Sequence, residues 1–189
     1  MNLRKRIGVT LPLALAAVAA SLVVASSASA DNSLVTANIA AGSLTEVTSA
    51  APSFSVTLDG TDKTGSYTLP ITVTDARGSG AGWNLTITST QFSTGVSGNT
   101  LASDAASIAS VASTCVAGST CTNPTNSVTY PLTIPAGASP PPAVKFFNAA
   151  VNTGRGKFTG TPSVQVAVPA NTFAGTYTST VTLAIASGP

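Results

Sequence analysis

An all-β fold, a single antiparallel β-sandwich with Ig-like, Greek-key connections and about eight to ten strands, is what this 189-residue sequence predicts. Three observations carry that prediction. Apolar residues recur at every second position in run after run, which is the period of a strand with one buried face. Glycine, proline, asparagine and aspartate punctuate those runs at short intervals. No stretch carries the broad apolar stripe of an amphipathic helix. Leu101 to Ser113, rich in Ala and Ser, passes for a helix by propensity, yet Ile108 and Val111 alone make too narrow a stripe, so irregular strand and loop is expected there.

The N-terminus is read separately. Arg4, Lys5 and Arg6 precede an almost wholly apolar run from Leu11 to Ala25, and Ala28-Ser29-Ala30 supplies a small-x-small cleavage site. Residues 1–30 are therefore expected to be a signal peptide. Pro12, the shortness of the run and its small-residue exit argue against a membrane anchor. Cleavage after Ala30 leaves 159 residues, 31–189, enough for one domain that buries roughly 70% of its unfolded surface. Five basic residues then face six acids, for a net charge of −1, so the basic balance of the whole chain belongs to the leader and no nucleic-acid partner is expected. Cys115 and Cys121 are the only cysteines, and in a secreted chain they read as one disulfide closing a short loop.

In chain order, Leu34 to Ile39 is expected as a first short strand and Thr45 to Pro52 as a turn-rich passage. Ser53 to Leu58 alternates, with Phe54, Val56 and Leu58 inward, and Asp59-Gly60 opens a turn that runs to Gly65. Leu69, Ile71 and Val73 oppose Pro70, Thr72 and Thr74 in the next strand. Gly78, Gly80 and Gly82 then predict a loop that reverses the chain between paired strands. Trp83, Leu85 and Ile87 oppose Asn84, Thr86 and Thr88 in the returning strand. Cys115 to Asn126 is loop. Val128, Tyr130, Leu132 and Ile134 define a strand that Pro131 places at an edge. After the surface run Pro140-Pro141-Pro142, Val144 to Val151 is a strand near the core, and Asn152 to Gly156 is a hairpin-like turn. Val164, Val166 and Val168 mark the next strand and Pro169 to Asn171 a turn. Tyr177, Val181, Leu183 and Ile185, alternating with threonines, finish the domain.

Trp83-Asn84-Leu85, preceded by the run Thr74-Asp75-Ala76-Arg77-Gly78-Ser79-Gly80-Ala81-Gly82, resembles the first motif of WxL-type cell-wall-binding surface proteins of Gram-positive bacteria. A second motif of that family lies on a strand beginning Gly-Thr-Tyr, and Gly175-Thr176-Tyr177 begins such a strand here. The positions of its Trp and Leu hold Leu183 and Ile185, so only the first tryptophan is present. The resemblance implies a secreted, non-enzymatic surface protein associated non-covalently with the cell wall through peptidoglycan. It also allows other surface proteins as partners, and no transmembrane anchor is expected after signal cleavage. Asp75, Arg77, Trp83, Asn84 and Leu85 are then the candidate binding residues. The closing strand Gly175 to Ile185 also resembles that of fimbrial or spore-coat-type subunits assembled by strand exchange, which is the alternative reading.

The residue chemistry narrows the function further. The chain has no histidine, which removes triads, His-paired nucleophiles and most zinc sites. No metal and no cofactor is expected. Gly78-x-Gly80-x-Gly82 has the wrong spacing for a nucleotide loop and no helix follows it. Asp59 and Asp62 lie where a turn wants aspartates. Asp75 and Arg77 form either a surface ion pair or a polar edge beside Trp83. Trp83 is either a core residue with Leu85 and Ile87 or an exposed platform for a sugar face, and its alternation favours the core. Intact mass of the secreted protein tests the processing directly: a start at Asp31 is expected, with thiols that alkylate only after reduction.

Overall fold

The computed structural model describes residues 33–48 and 51–189, so the expected signal peptide lies outside the described residues. By contact the chain divides at Asn38/Ile39, and the β-sandwich belongs to the second unit, Ile39–Pro189. Among the described residues there are ten strands in two sheets and no helix. The strands are β1 (Leu44–Val47), β2 (Lys63–Thr68), β3 (Ile71–Asp75), β4 (Trp83–Thr90), β5 (Ala106–Cys115), β6 (Leu132–Thr133), β7 (Ala136–Gly137), β8 (Val144–Ala149), β9 (Gly156–Val168) and β10 (Val181–Ser187).

Each sheet is organised around one long strand. In the first, β9 pairs along one side with β5 and along the other with β3 and then β2. β1 extends this sheet beyond β3, and β6 beyond β5. In the second, β4 lies between β10 on one side and β8 and β7 on the other. All pairs are antiparallel except β4 with β7. The alternation read from the sequence decides which faces meet: Ile71, Val73, Phe158, Val164 and Val166 of the first sheet are buried, as are Trp83, Leu85, Ile87, Phe146 and Phe147 of the second.

The inter-sheet contact is aromatic. The Trp83 ring stacks on Phe158 with centroids 5.5 Å apart and planes 21° apart, and it meets Phe147 edge-on at 5.5 Å. Phe146 and Phe147 are adjacent in sequence yet both buried, in a run of four buried residues that ends at Ala149, so β8 is covered on both faces. The β4–β8 register shifts between Leu85 and Thr86. The indole Nε1 donates to the Gly154 carbonyl at 2.9 Å, satisfying the one polar atom of the ring. A Cβ on Gly154 would stand 2.6 Å from that nitrogen, and its φ is +65°, so only glycine suits the position.

Several expected elements differ. Leu34 to Ile39 forms no strand, and Leu34, Val35 and Ile39 are exposed. The first strand lies instead at Leu44–Val47, inside the expected turn-rich passage. It is held by β3 and by reciprocal backbone bonds between Gly42-Ser43 and Ala76, information that local sequence does not hold. Ser53 to Leu58 half-buries Phe54, Val56 and Leu58 in alternation but joins no ladder; Phe54 lies over Gly65, where the missing side chain leaves room, and stacks on Tyr67 at 6.0 Å. The strand expected from Val128 to Ile134 reduces to Leu132–Thr133, at the sheet edge that Pro131 predicts. β5, by contrast, is a regular ten-residue strand where irregularity was expected. Its small side chains give a weak pattern, but nine of its residues pair with β9 around a bulge at Ile108/Ser110.

The turn and disulfide readings fit the structure. Asp59 Oδ1 accepts from the Thr61 amide and hydroxyl at 3.1 and 2.7 Å, and Lys63 Nζ lies 2.7 Å from Oδ2. Cys115 and Cys121 are bonded, with Cα atoms 5.8 Å apart. Their loop lies against the start of β9, where Val116 N donates to Lys157 O and Thr122 N to Arg155 O.

Truncating the inter-sheet contact tests this architecture. Trp83→Ala is expected to cost roughly 3–5 kcal/mol, lowering the melting temperature by about 10 °C, and Leu85→Ala about 2–5 kcal/mol. Thermal unfolding followed by circular dichroism reads both; an unchanged Trp83→Ala melting point would remove the indole from the core.

Candidate functional site

The motif residues gather at one end of the sandwich. β3 runs into this end at Asp75, β4 leaves it at Trp83, β9 leaves it at Gly156 and β10 arrives at Ser187. The glycine loop does not join paired strands, as expected from sequence. β3 belongs to the first sheet and β4 to the second, so residues 76–82 carry the chain across the sandwich. The crossing runs close to its neighbours. A Cβ on Gly82, whose φ is +71°, would collide with the Ala149 carbonyl at the end of β8. The Gly80 carbonyl accepts from Asn152 N at 2.8 Å, tying the loop to the turn before β9.

Asp75 and Arg77 form a clasp that is largely buried, which corrects the surface pair allowed by the sequence. The Asp75 side chain is 1% exposed and that of Arg77 17%. Arg77 Nε donates to Asp75 Oδ1 and Nη2 to Oδ2, both at 2.9 Å, the bidentate geometry that makes such pairs strong. The guanidinium then reaches further: Nη2 donates to the Gly82 carbonyl at 2.7 Å and Nη1 to the Ser187 hydroxyl at 2.6 Å. Asn84 adds a parallel tie, Nδ2 to the Gly188 carbonyl at 2.8 Å, and Gly188 N donates to Gly82 O at 3.1 Å. One aspartate, one arginine and one asparagine thus fasten the last strand to the loop that opens β4.

This arrangement sets what each candidate residue does chemically. Hydrogen bonds from Arg77 hold the Asp75 carboxyl below the ordinary carboxylate range, with Arg155 adding a smaller attraction, and the Arg77 guanidinium is raised in turn. A carboxylate so engaged anchors structure; it has no free proton to trade at neutral pH. Trp83 and Leu85 are 0% exposed and act from inside the core. The surface at this end comes from the loop 76–82, the turn around Asn152, exposed Arg155 and Lys157, and Ser187 to Pro189.

Sequence reasoning placed Asp75, Arg77, Trp83, Asn84 and Leu85 in one stretch, and the structure brings them together. It missed Gly154, Ser187 and Gly188. Ser187 and Gly188 lie more than 100 positions from their partners, and no local pattern marks them. Leu183 of the closing strand pairs with Ile87 and Ile185 with Leu85, both half-buried against the core. The closing strand therefore lies beside the strand that Trp83 opens.

A β-sandwich closed at one end by a tryptophan-bearing motif and the strand that answers it is the kind of domain these features define. Residues 20–189 match the family model described as WxL domain surface cell wall-binding. The chain belongs to that family, and is a cell-wall-associated surface protein. No curated protein and no solved structure matches it.

Acid titration tests the clasp. Because the folded Asp75 carboxyl titrates below the unfolded one, its stabilisation is complete above the unfolded value of about 3.9 and is lost as pH falls through the folded value. Asp75→Asn leaves the guanidinium without its buried partner and is expected to cost about 3–5 kcal/mol at pH 7. Its stability should then vary less between pH 5 and 2 than that of the wild type. Urea unfolding across this range, with the exposed Asp59→Asn as control, measures the difference.

Proposed function

We propose that this protein is exported, is not an enzyme, and attaches non-covalently to peptidoglycan through the clasp end of its sandwich. The observation that carries this reading is the intact first motif, Trp83-Asn84-Leu85 behind its glycine loop, within a chain of the wall-binding family. Asp75, Arg77, Trp83, Asn84 and Leu85 are the residues on which binding depends. Trp83 and Leu85 act by supporting β4 from the core, while Asp75, Arg77 and Asn84 fix the loop and the end of β10 into one rigid rim. Residues 1–30 direct export and are removed.

The absence of histidine supports a non-enzymatic role, since the side chain that most often serves as a general base is missing. Asp75, the acid within the motif, is engaged by Arg77. Leu183, standing where a two-motif relative has tryptophan, leads to weaker binding than such a relative shows.

Sedimentation of the secreted protein with purified peptidoglycan is the test. It is expected to pellet, with little change on adding salt, because the net charge of 31–189 is close to zero. Leu183→Trp is expected to increase the pelleted fraction if the fold accepts the added volume, which its melting curve reports. Failure of the wild type to pellet would overturn the reading. A steep salt dependence would move the ligand to the anionic polymers of the wall.

A further inference from the structure

The end of the sandwich away from the clasp carries a groove that the motif does not account for. β9 leaves the clasp at Gly156, and its last residue, Val168, lines this groove, a hollow of about 500 Å³. Phe54, Val56 and Leu58 line it from the segment before β2, and Phe173 and Tyr177 from the turn before β10. The buried Leu101 and Val168 line it as part of the core. Its size falls within the range of about 300–1,000 Å³ that small-ligand sites occupy. A second hollow of about 200 Å³ shares Leu101, Thr172, Phe173 and Tyr177 with it and adds the side chains of Asn99 and Asn171.

Phe173 is 66% exposed, yet the turn that carries it is tightly held. The Tyr177 hydroxyl donates to the Phe173 carbonyl at 3.0 Å, and Thr172 N donates to Pro169 O at 3.0 Å. Ala170 N donates to Asp62 Oδ1 at 2.8 Å, and Ser93 and Thr178 exchange backbone bonds at 3.0 and 2.9 Å. The ring is thus presented on a fixed support, and a ligand meets it without the cost of ordering a loop. No charged side chain lines either hollow. An ionised ligand would find nothing there to neutralise it. The polar groups are hydroxyls and amides, Thr57 and Thr172 in the larger hollow and Asn99 and Asn171 in the smaller. A sugar ring suits both halves of such a site, its C–H face against an aromatic ring and its hydroxyl rim on the hydroxyls and amides. An acetamido substituent suits it further. Its methyl fills apolar space, and its N–H and C=O match an asparagine amide, which both donates and accepts.

We propose that this groove is a second carbohydrate site, taking a neutral chain of N-acetylated amino sugars. One ring stacks on Phe173, and its acetamido methyl lies against Leu101 and Val168. Asn99 and Asn171 hydrogen-bond the polar groups of the neighbouring ring. One stacked ring and a few neutral hydrogen bonds give a soluble fragment an affinity of about millimolar. The groove shares no residue with the clasp, so the inference does not rest on wall binding there. The thirteen residues of β9 separate the two ends by roughly 40 Å. Two weak contacts so placed hold one polymer far better than either does alone.

Titration of the secreted protein with tetra-N-acetylchitotetraose, followed by amide chemical shifts, tests this. Saturable shifts are expected at Leu101, Thr172, Phe173 and Tyr177, with none around Arg77 or Trp83. Phe173→Ala, at an exposed position, should keep the wild-type melting temperature and weaken binding by about fivefold to tenfold. Asn171→Ala, also exposed, should weaken it by about fivefold. Cellotetraose, which lacks the acetamido groups, should bind at least about fivefold more weakly than the acetylated chain. Saturable binding in a protein that fails to pellet with peptidoglycan would still support the groove and would remove only the clasp reading. The proposal is overturned by an absence of shifts up to the solubility limit of the sugar, by shifts centred on the clasp, by equal binding of cellotetraose, or by binding that both variants leave unchanged. Concentration-dependent broadening of the groove amides without sugar, removed by Phe173→Ala, would also overturn it and give the groove to a second copy.

Discussion

The Trp83 indole, held between Phe158 and Phe147, is the contact on which the rest of the sandwich depends. It fixes the spacing between the central strand of one sheet and the central strand of the other at a single point. Everything at that end follows from its size. Gly154 must lack a side chain to let the ring donate its N–H, the turn before β9 must adopt a left-handed conformation there, and Gly82 must bring β4 in close against β8. A smaller residue at position 83 would leave the two sheets without a common layer at the end where the loops converge.

Around this apolar anchor the polar residues of the motif divide the labour of closure. Arg77 spans three elements with four donated bonds, and its charge is neutralised by Asp75 within the same turn of chain. The low exposure of the pair raises the strength of each bond and makes each costly to leave unmade. The motif thus reads as a device for fastening the last strand as much as for presenting a surface. That last strand carries Leu183 and Ile185 opposite Ile87 and Leu85 of the strand that Trp83 opens.

Much of this was legible in the sequence because period-two alternation is local. Trp83, Leu85, Ile87, Val164 and Val166 announce their faces through their immediate neighbours. The Asp75–Arg77 pair was legible as a pair, but its burial depends on Ser187 and Gly82 folding over it. β1 was missed because Thr45 and Glu46 look like turn residues until β3 supplies the ladder. The glycine loop was recognised as a loop but given the wrong destination, since nothing local tells a hairpin from a crossing between sheets. Leu34 to Ile39 was read as a strand from a pattern it does possess, yet it forms none.

The double partnership of β9 has a consequence for timing. β2, β3 and β5 all take their main ladder from a strand that begins at residue 156, and β4 receives β10 only after residue 181. Contacts between positions so far apart form slowly, because the intervening chain must first be closed into loops. Emerging from the ribosome in order, the first 150 residues already contain the pairs β1 with β3, β4 with β7 and β8, and β5 with β6, while β2 has no partner before β9. The first sheet is therefore two separate pieces until the last fifth of the chain is made, and one late strand joins them.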